Sequence, residues 1–402
     1  MIGMKTRVCL GLAIVMSIGC AKTSPSSPVD GGLAVASDIR PKIALTTTSW
    51  SIAGENFDGL IAEHQRLNRA DPQSRATLVD MLLTRAQSLA RIADYERAEE
   101  IAKRTAEEHP KDADALLTRG RVHGALHRFA LATKDIEAAE KAGAEKSRVA
   151  AARSGILLAT GEYEAAAALL PSPHSPVDLT TAAVLASRMH KPAEAERLFD
   201  EAREGVRDTS PYLVAWMDFQ RASAHEAEGK STHARAYYLE AVEKIPVYAH
   251  AAVHLANREA PEAAIARLTL VSKTSDDPDV LAALADAHHR AKNEGEAKRY
   301  RELARARYQQ LLAKYPEAFG EHAAYFYLAE GNAKDALPLA ESNAKLRPTE
   351  EAIDLWLTVA TTARDQNAIC TSAIALEGLR FVSADRKRLA RASQNGCPRD
   401  GG

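Results

Sequence analysis

The chain has 402 residues, 46% of them hydrophobic but only 5% aromatic, and 52 Lys and Arg stand against 54 Asp and Glu for a net charge of -2. That length exceeds one conventional core unless the chain is a repeat array, in which each unit buries its apolar face on its neighbour. The balanced charge excludes a global field that recruits nucleic acid, so no nucleic-acid partner is expected. The apolar content is mostly Ala and Leu, which favours closely packed helices over strands.

Residues 1–20 carry Lys5 and Arg7, an apolar run from Val8 to Ile18, and then Gly19-Cys20. A positive start, a short apolar core and a small residue before the cut read as a secretory signal, and the run is too short to span a membrane. Met16-Ser17-Ile18-Gly19-Cys20 resembles the lipobox of bacterial lipoproteins, with Ser17 where that family favours Leu. The resemblance implies lipidation of Cys20, which would anchor the chain to a membrane, and Ala21 after it implies an outer-membrane destination in the cell envelope. Residues 21–50 are dominated by Pro, Ser, Gly and Thr without helical periodicity and read as a flexible tether.

An amphipathic helix is expected from Asn56 to about Ala70. From Val79 the pattern becomes regular. An alanine near the start of each second helix sets the register at Ala98, Ala132, Ala166, Ala195, Ala234, Ala264, Ala297 and Ala336, with Cys370 in the ninth place. A small residue stands twelve positions earlier in most units: Ala86, Gly120, Ser154, Ala183, Ala222, Ala285 and Ala324. Small residues at both places let paired helices cross closely. Tyr95, Phe129 and Tyr163 fill the space beside a turn, and Pro110, Pro246 and Pro348 close units.

This period and these residues resemble the tetratricopeptide repeat (TPR). The implied fold is all-α, a right-handed α-solenoid of about nine helix pairs over residues 51–382. A capping helix and tail follow in 383–402. Residues 171–176 cut the third unit short and suggest a bend that divides the solenoid into two arms. The unit around Ala251 to Val271 has lost residues in its turn, and the helix after Gly295 overruns to Tyr315.

Thirteen histidines invite a metal reading. His123/His127 and His250/His254 are pairs four apart that would share a helix face, but no carboxylate or cysteine stands at ligand spacing beside them. His123, His225 and His288 occupy one equivalent repeat position, which makes them packing residues. No metal, no cofactor and no catalytic residue are expected. Gly161, Gly229 and Gly331 end first helices, where left-handed backbone is needed. Cys370 fills a small-residue position, and in an oxidising envelope it could form a disulfide with Cys397. Lys298, Arg301 and Arg305 form a basic stripe at helical spacing, read as a solvated face.

The TPR resemblance implies a concave groove lined by first helices. The register projects Gln87, Arg91, Arg121, Trp216, Phe219, Asp286, His289, Arg290 and Tyr325 into it, with Trp216 and Phe219 as anchors if they are not packing residues. The expected function is a non-enzymatic protein-protein interaction scaffold in the bacterial envelope, whose partner is another envelope protein or peptide. The alternative is a lipoprotein that captures a peptide or glycan in the groove on Trp216 and Phe219.

Overall fold

The computed structural model describes residues 43–67, 71–170, 172–395 and 397. The signal segment, Cys20, residues 21–42 of the tether, Ala70 and Pro171 lie outside them. Twenty α-helices are present among the described residues. A leading helix α1 (Trp50–Leu67) precedes nine pairs: α2 (Pro72–Leu89) with α3 (Ile92–Glu108), α4 (Ala113–Ala125) with α5 (Phe129–Lys141), α6 (Lys146–Ala159) with α7 (Tyr163–Ala168), and α8 (Pro176–Arg188) with α9 (Pro192–Glu204). The series continues as α10 (Pro211–Ala227) with α11 (Ser231–Lys244), α12 (Ala249–Ala256) with α13 (Pro261–Val271), and α14 (Pro278–Arg290) with α15 (Glu294–Lys314). It ends with α16 (Pro316–Ala329) and α17 (Ala333–Leu346), α18 (Glu350–Ala363) and α19 (Gln366–Gly378), and a final α20 (Ala384–Ser393). We number these pairs repeats 1 to 9. The all-α solenoid of nine helix pairs is thus the observed fold.

Local chemistry sets the boundaries. Asp71, Asp112, Ser175 and Asp365 cap helix starts by accepting from the backbone N–H three residues on. Proline opens α2, α8, α9, α10, α13, α14 and α16, where its missing N–H costs nothing. All eight register alanines are buried, and Ser154 Oγ donates to the Ala166 carbonyl at 3.1 Å across its pair. At Gly120 a Cβ would sit 3.1 Å from Ile136 and 3.2 Å from the Ala132 carbonyl, so the crossing of α4 and α5 is as close as the small residues suggest. The irregular units behave as their sequences indicate: α7 has 6 residues, α12 has 8 and α15 has 21. α1 begins at Trp50, six residues before its expected start.

A left-handed residue turns eight of the nine pairs. Gly161, Gly229 and Gly331 do so with φ of 82°, 74° and 73°. The same job falls to Ala90, His127, His190, Lys292 and Arg364, with φ between 48° and 60°. Repeat 6, with Glu259-Ala260-Pro261 in its turn, has no such residue.

The solenoid is not open. The turns of the early repeats bond to the loops between the late ones. In repeat 1 the Ala90 carbonyl accepts from Ser275 Oγ at 2.9 Å and Ile92 N–H donates to Asp276 Oδ1 at 2.6 Å. In repeat 2 the His127 ring nitrogen Nδ1 meets the Glu317 carbonyl at 3.2 Å, and Arg128 reaches the Lys314 carbonyl at 3.3 Å. In repeat 3 the Ala159 carbonyl accepts from Arg347 Nε at 3.4 Å, and a Cβ on Gly161 would lie 2.9 Å from the Pro348 carbonyl oxygen. In repeat 4 Arg188 pairs with Glu351 and His190 Nε2 sits 3.2 Å from Glu350. For repeats 1 to 3 the bonded residues are 185, 190 and 188 positions apart. Repeat 1 therefore meets the loop before repeat 7, repeat 2 the loop before 8 and repeat 3 the loop before 9. One superhelical turn takes six repeats, and its successive turns touch. Segments on either side of residues 171–176 are fastened to each other along this seam and do not form two separate arms.

Candidate interaction surface

Closure of the superhelix decides what the projected groove residues can do. Trp216 is 1% exposed in an apolar cluster with Phe199, Val214 and Leu185. Phe219 is 4% exposed and sits among Tyr238, Tyr248, His250 and His254 with ring centroids 5.6–6.0 Å apart. These two are packing residues and cannot serve as exposed anchors, because the first-helix face on which they lie is covered by neighbouring repeats. The rest of the set is scattered over the fold. The half-buried Gln87 offers its backbone carbonyl to His250. Arg91 lies 3.6 Å from Asp94, and Arg121 donates to Asp80 at 2.5 Å. Asp286 is half-buried, and Tyr325 packs on the cluster of Tyr308, Phe326 and Trp356. Only His289 and Arg290 are exposed; His289 pairs with Glu294 at 2.8 Å, and Arg290 donates to the Ala256 and Glu259 carbonyls. The nine residues do not form one binding surface.

The equivalent histidines do share one packing role. His225 stacks on Tyr237 and His288 on Tyr300, each twelve residues on, and His123 meets Asp135 at the same spacing with 3.0 Å between polar atoms. The proposed helix-face pairs divide. His127 lies beyond the end of α4 in the left-handed turn, so it shares no face with His123. His250 and His254 both lie on α12 but bond in different directions, His254 to Glu226 at 2.7 Å and to the Tyr238 hydroxyl at 3.1 Å. Arg258 joins that group, and although burial opposes it, His254, Arg258 and Tyr238 hold Glu226 down at about 2. The network ties repeat 5 to repeat 6 inside the packed helices. Among the described residues, no group of three His, Cys, Asp or Glu side chains is placed to hold a metal ion.

Cys370 and Cys397 are joined in a disulfide with Cα atoms 5.6 Å apart, which fastens the tail to α19. In the basic stripe Lys298 lies 4.0 Å from Glu302, while Arg301 and Arg305 share Glu330, each at 2.8 Å. This stripe is a neutralised face. A cleft of about 240 Å³ opens at the seam between Gly161-Glu162-Tyr163, Pro348-Thr349-Glu350 and Arg380-Phe381. It falls below the few hundred Å³ typical of small-molecule sites. Burial works against ionisation of Glu350 there, yet hydrogen bonds from His190 and Ser383 hold it down at about 2.

One seated segment was not legible in the sequence. Residues 43–49, assigned by composition to the flexible tether, lie against the C-terminal ends of α9 and α11 and the loop that precedes repeat 5. The Ile43 carbonyl accepts from Arg203 Nε at 2.6 Å, the Leu45 carbonyl from Lys244 Nζ at 3.0 Å, and Thr48 N–H donates to the Thr209 carbonyl at 2.8 Å. Ile43, Leu45 and Thr47 are half-buried while Ala44 and Thr46 are exposed, the alternation of an extended strand. Arg203 is set by a buried ion pair with Asp218 on α10. Burial, opposed by Arg203, pushes the Asp218 carboxyl up to about 7. Directly after the segment, Trp50 packs edge-on to Tyr212 with centroids 5.7 Å apart, and Asp58 on α1 accepts from Arg85 of repeat 1 at 2.5 Å. Tether composition conceals this docking because the partners recognise carbonyls and one N–H, which every sequence has.

No family model and no curated protein matches the chain. Among solved structures it is similar to Cut9 in the crystal structure of the APC/C hetero-tetramer Cut9-Hcn1, at 13% identity and a TM-score of 0.40, covering 73% of this chain and 59% of that one. It is also similar to yeast Tom70, at 13% identity and 0.31, covering 86% and 93%. A third is the C-terminal part of a TPR repeat-containing protein from Cytophaga hutchinsonii, at 15% identity and 0.30, covering 59% and 97%. The chain thus spans less than two thirds of Cut9.

Proposed function

We propose that the chain is a non-enzymatic scaffold that presents a rigid helical-repeat surface to another protein of a bacterial cell envelope. The observation that carries this reading is the bonded superhelix. Its first-helix faces are largely consumed in internal packing, and its seam joins repeats 1–4 to repeats 7–9. Exposed apolar residues remain for a partner on the outer face of the second helices, where Leu131, Leu270, Leu303 and Ile374 are between 43% and 51% exposed, and on α1, where Ile52 and Leu60 are 56% and 51% exposed. The groove-capture alternative loses its support, because Trp216 and Phe219 offer no open ring face to a peptide or glycan. Photo-crosslinking in intact cells tests the proposal. A crosslinker at Leu131, Leu303 or Ile374 is expected to trap one discrete protein partner, and a crosslinker at Trp216 to give only intramolecular products. Trapping at Trp216 alone would return the groove reading.

The envelope address belongs to the same proposal. The lipobox-like segment argues for lipidation of Cys20 and an outer-membrane anchor, and the Cys370–Cys397 disulfide is the kind of bond that persists in an oxidising compartment. Among the described residues no helix is long and apolar enough to cross a membrane. Metabolic labelling with an alkyne fatty acid should mark the wild type, while Cys20→Ser should abolish the label and release the chain from the membrane fraction.

A further inference from the structure

We propose that the seat beneath residues 43–49 is an exchangeable site for an extended peptide with apolar residues at alternate positions, closed in cis by this chain's own segment. The inference rests on the scaffold reading and names the chemistry of the partner segment.

The place of the seat in the superhelix is the first argument. Loops before repeats 7, 8 and 9 are covered by the turns of repeats 1, 2 and 3, six repeats earlier. The loops before repeats 5 and 6 have no repeat six places ahead of them to do this. Residues 43–49 lie beside those loops, on the ends of α9 and α11 and on Thr209, where that cover is missing.

The manner of holding is the second. Arg203 and Lys244 donate to carbonyls and Thr209 accepts from an N–H, so the seat reads mainly backbone, with one side-chain bond from Thr48 Oγ1 to Thr209 Oγ1 at 3.3 Å. Arg203 is 4% exposed and pinned by Asp218, itself 2% exposed, so this donor stays aimed when the segment leaves. Specificity comes from the two apolar positions: Leu45 packs against the cluster of Phe199, Val206 and Val214, and Ile43 is half-buried two residues earlier. A partner segment therefore needs apolar residues two apart and freedom to extend.

The hold is also weak enough to exchange. None of residues 43–49 is fully buried, and three main-chain bonds and one side-chain bond at 3.3 Å fix seven residues. Attachment to α1 one residue further on supplies a high local concentration, which keeps the seat closed until a partner competes.

The test uses the full chain and a fluorescent peptide of residues 43–50, Ile-Ala-Leu-Thr-Thr-Thr-Ser-Trp. Ile43→Asp/Leu45→Asp should vacate the seat. Fluorescence anisotropy is expected to show the labelled peptide binding this variant with a Kd at least tenfold below that for wild type, since closure in cis reduces the competent fraction. Adding Lys244→Met to the vacated chain should weaken binding, and a peptide with Asp in place of Leu45 should not bind. Equal binding to both chains, or none to a vacated chain whose circular dichroism is unchanged, overturns the proposal. Vacated chain that self-associates in the ultracentrifuge and excludes the peptide also overturns it, by making a second copy the occupant. Should the variant not fold, hydrogen exchange on wild type decides. Excess peptide should accelerate exchange of the Thr48 amide, and an unchanged rate counts against exchange at the seat. A peptide result of either sign leaves the scaffold reading to stand or fall on the crosslinking experiment.

Discussion

The left-handed turns of repeats 1–4 and those of repeats 5, 7, 8 and 9 do the same local work in different surroundings. Ala90 and His127 are buried beneath a later superhelical turn, Gly161 faces the Pro348 carbonyl, and His190 bonds to Glu350. Their counterparts Gly229, Lys292, Gly331 and Arg364 are exposed, and a Cβ on Gly229 or Gly331 would meet nothing within 4 Å. Identical turn geometry thus serves only to reverse the chain in one row and also to weld the superhelix in the other. The difference teaches that a repeat encodes its own helix pair, whereas the coil is fixed by contacts six repeats away.

The sharpest way to break the welded row is at Arg347. It bonds Glu321 at 3.0 Å and the Ala159 carbonyl of repeat 3, and both charged side chains are nearly inaccessible. Arg347→Met leaves Glu321 buried without this partner and should cost about 3–5 kcal/mol in urea unfolding. Arg305→Met, which removes a partly exposed partner of Glu330 outside the seam, should cost under about 1 kcal/mol. Equal losses would mean that the seam carries no special share of stability.

Repeat 9 ends the array, and there a covalent bond takes over from the seam. Cys370→Ser/Cys397→Ser opens a loop with a sequence separation of 27 and should lower stability by about 3.5 kcal/mol on the chain-entropy account. Hydrogen exchange should show the loss concentrated in α19 and α20. A uniform loss over all repeats would contradict local closure.

Gly161→Ala against Gly331→Ala isolates the two environments at constant backbone geometry. Each loses the freedom of glycine at positive φ, about 1–2 kcal/mol. Only Gly161 also brings a Cβ to 2.9 Å from a main-chain oxygen, so its cost should be the larger by about 1 kcal/mol or more. Matching melting temperatures would show that the Pro348 loop yields freely.

These contrasts explain what could be read from the chain alone. The helix pairs were legible because Ala98, Ala132, Ala166 and their successors must be small wherever two helices cross, and that need repeats in register. The left-handed turns were legible only where glycine fills them; Ala90, His127, His190, Lys292 and Arg364 carry no such mark. The candidate groove failed for a different reason. Projection onto a helix face shows which way Trp216 and Phe219 point, but the packing that covers them comes from other repeats. Nothing in the register reveals that repeat 1 meets the loop before repeat 7, so seam, seat and buried anchors were hidden together.

The seat and the histidines packed between the helices of repeats 5 and 6 should also differ in their response to pH. Asp218 titrates near 7 in the folded chain against about 3.9 unfolded, so its stabilising contribution is complete below about 4 and is lost as pH rises to 7. His225 and His250 are depressed by burial to about 4, so theirs is complete above about 6.5 and is lost as pH falls to 4. The two trends oppose each other. Asp218→Asn removes one of them, and the slope of stability against pH between 4 and 7 should shift upward. An unchanged slope would mean that Asp218 ionises freely beside Arg203.

The smallest effect comes from relieving strain at a single turn. Lys292 adopts φ of 60° on the exposed row, and an L side chain there costs about 1–2 kcal/mol. Lys292→Gly recovers that strain but frees the unfolded chain, which takes back about 0.4–1 kcal/mol. The net gain should be about 0.5 kcal/mol, visible as a small rise in melting temperature. Ala90→Gly relieves the same strain at φ of 48°, yet Ala90 is 2% exposed within the main apolar cluster. Removing its methyl forfeits about 0.8 kcal/mol of burial, which should cancel the gain. A rise at Lys292 with none at Ala90 would separate the free row from the welded one through one methyl group; equal rises would mean that the Ala90 methyl contributes nothing to the seam.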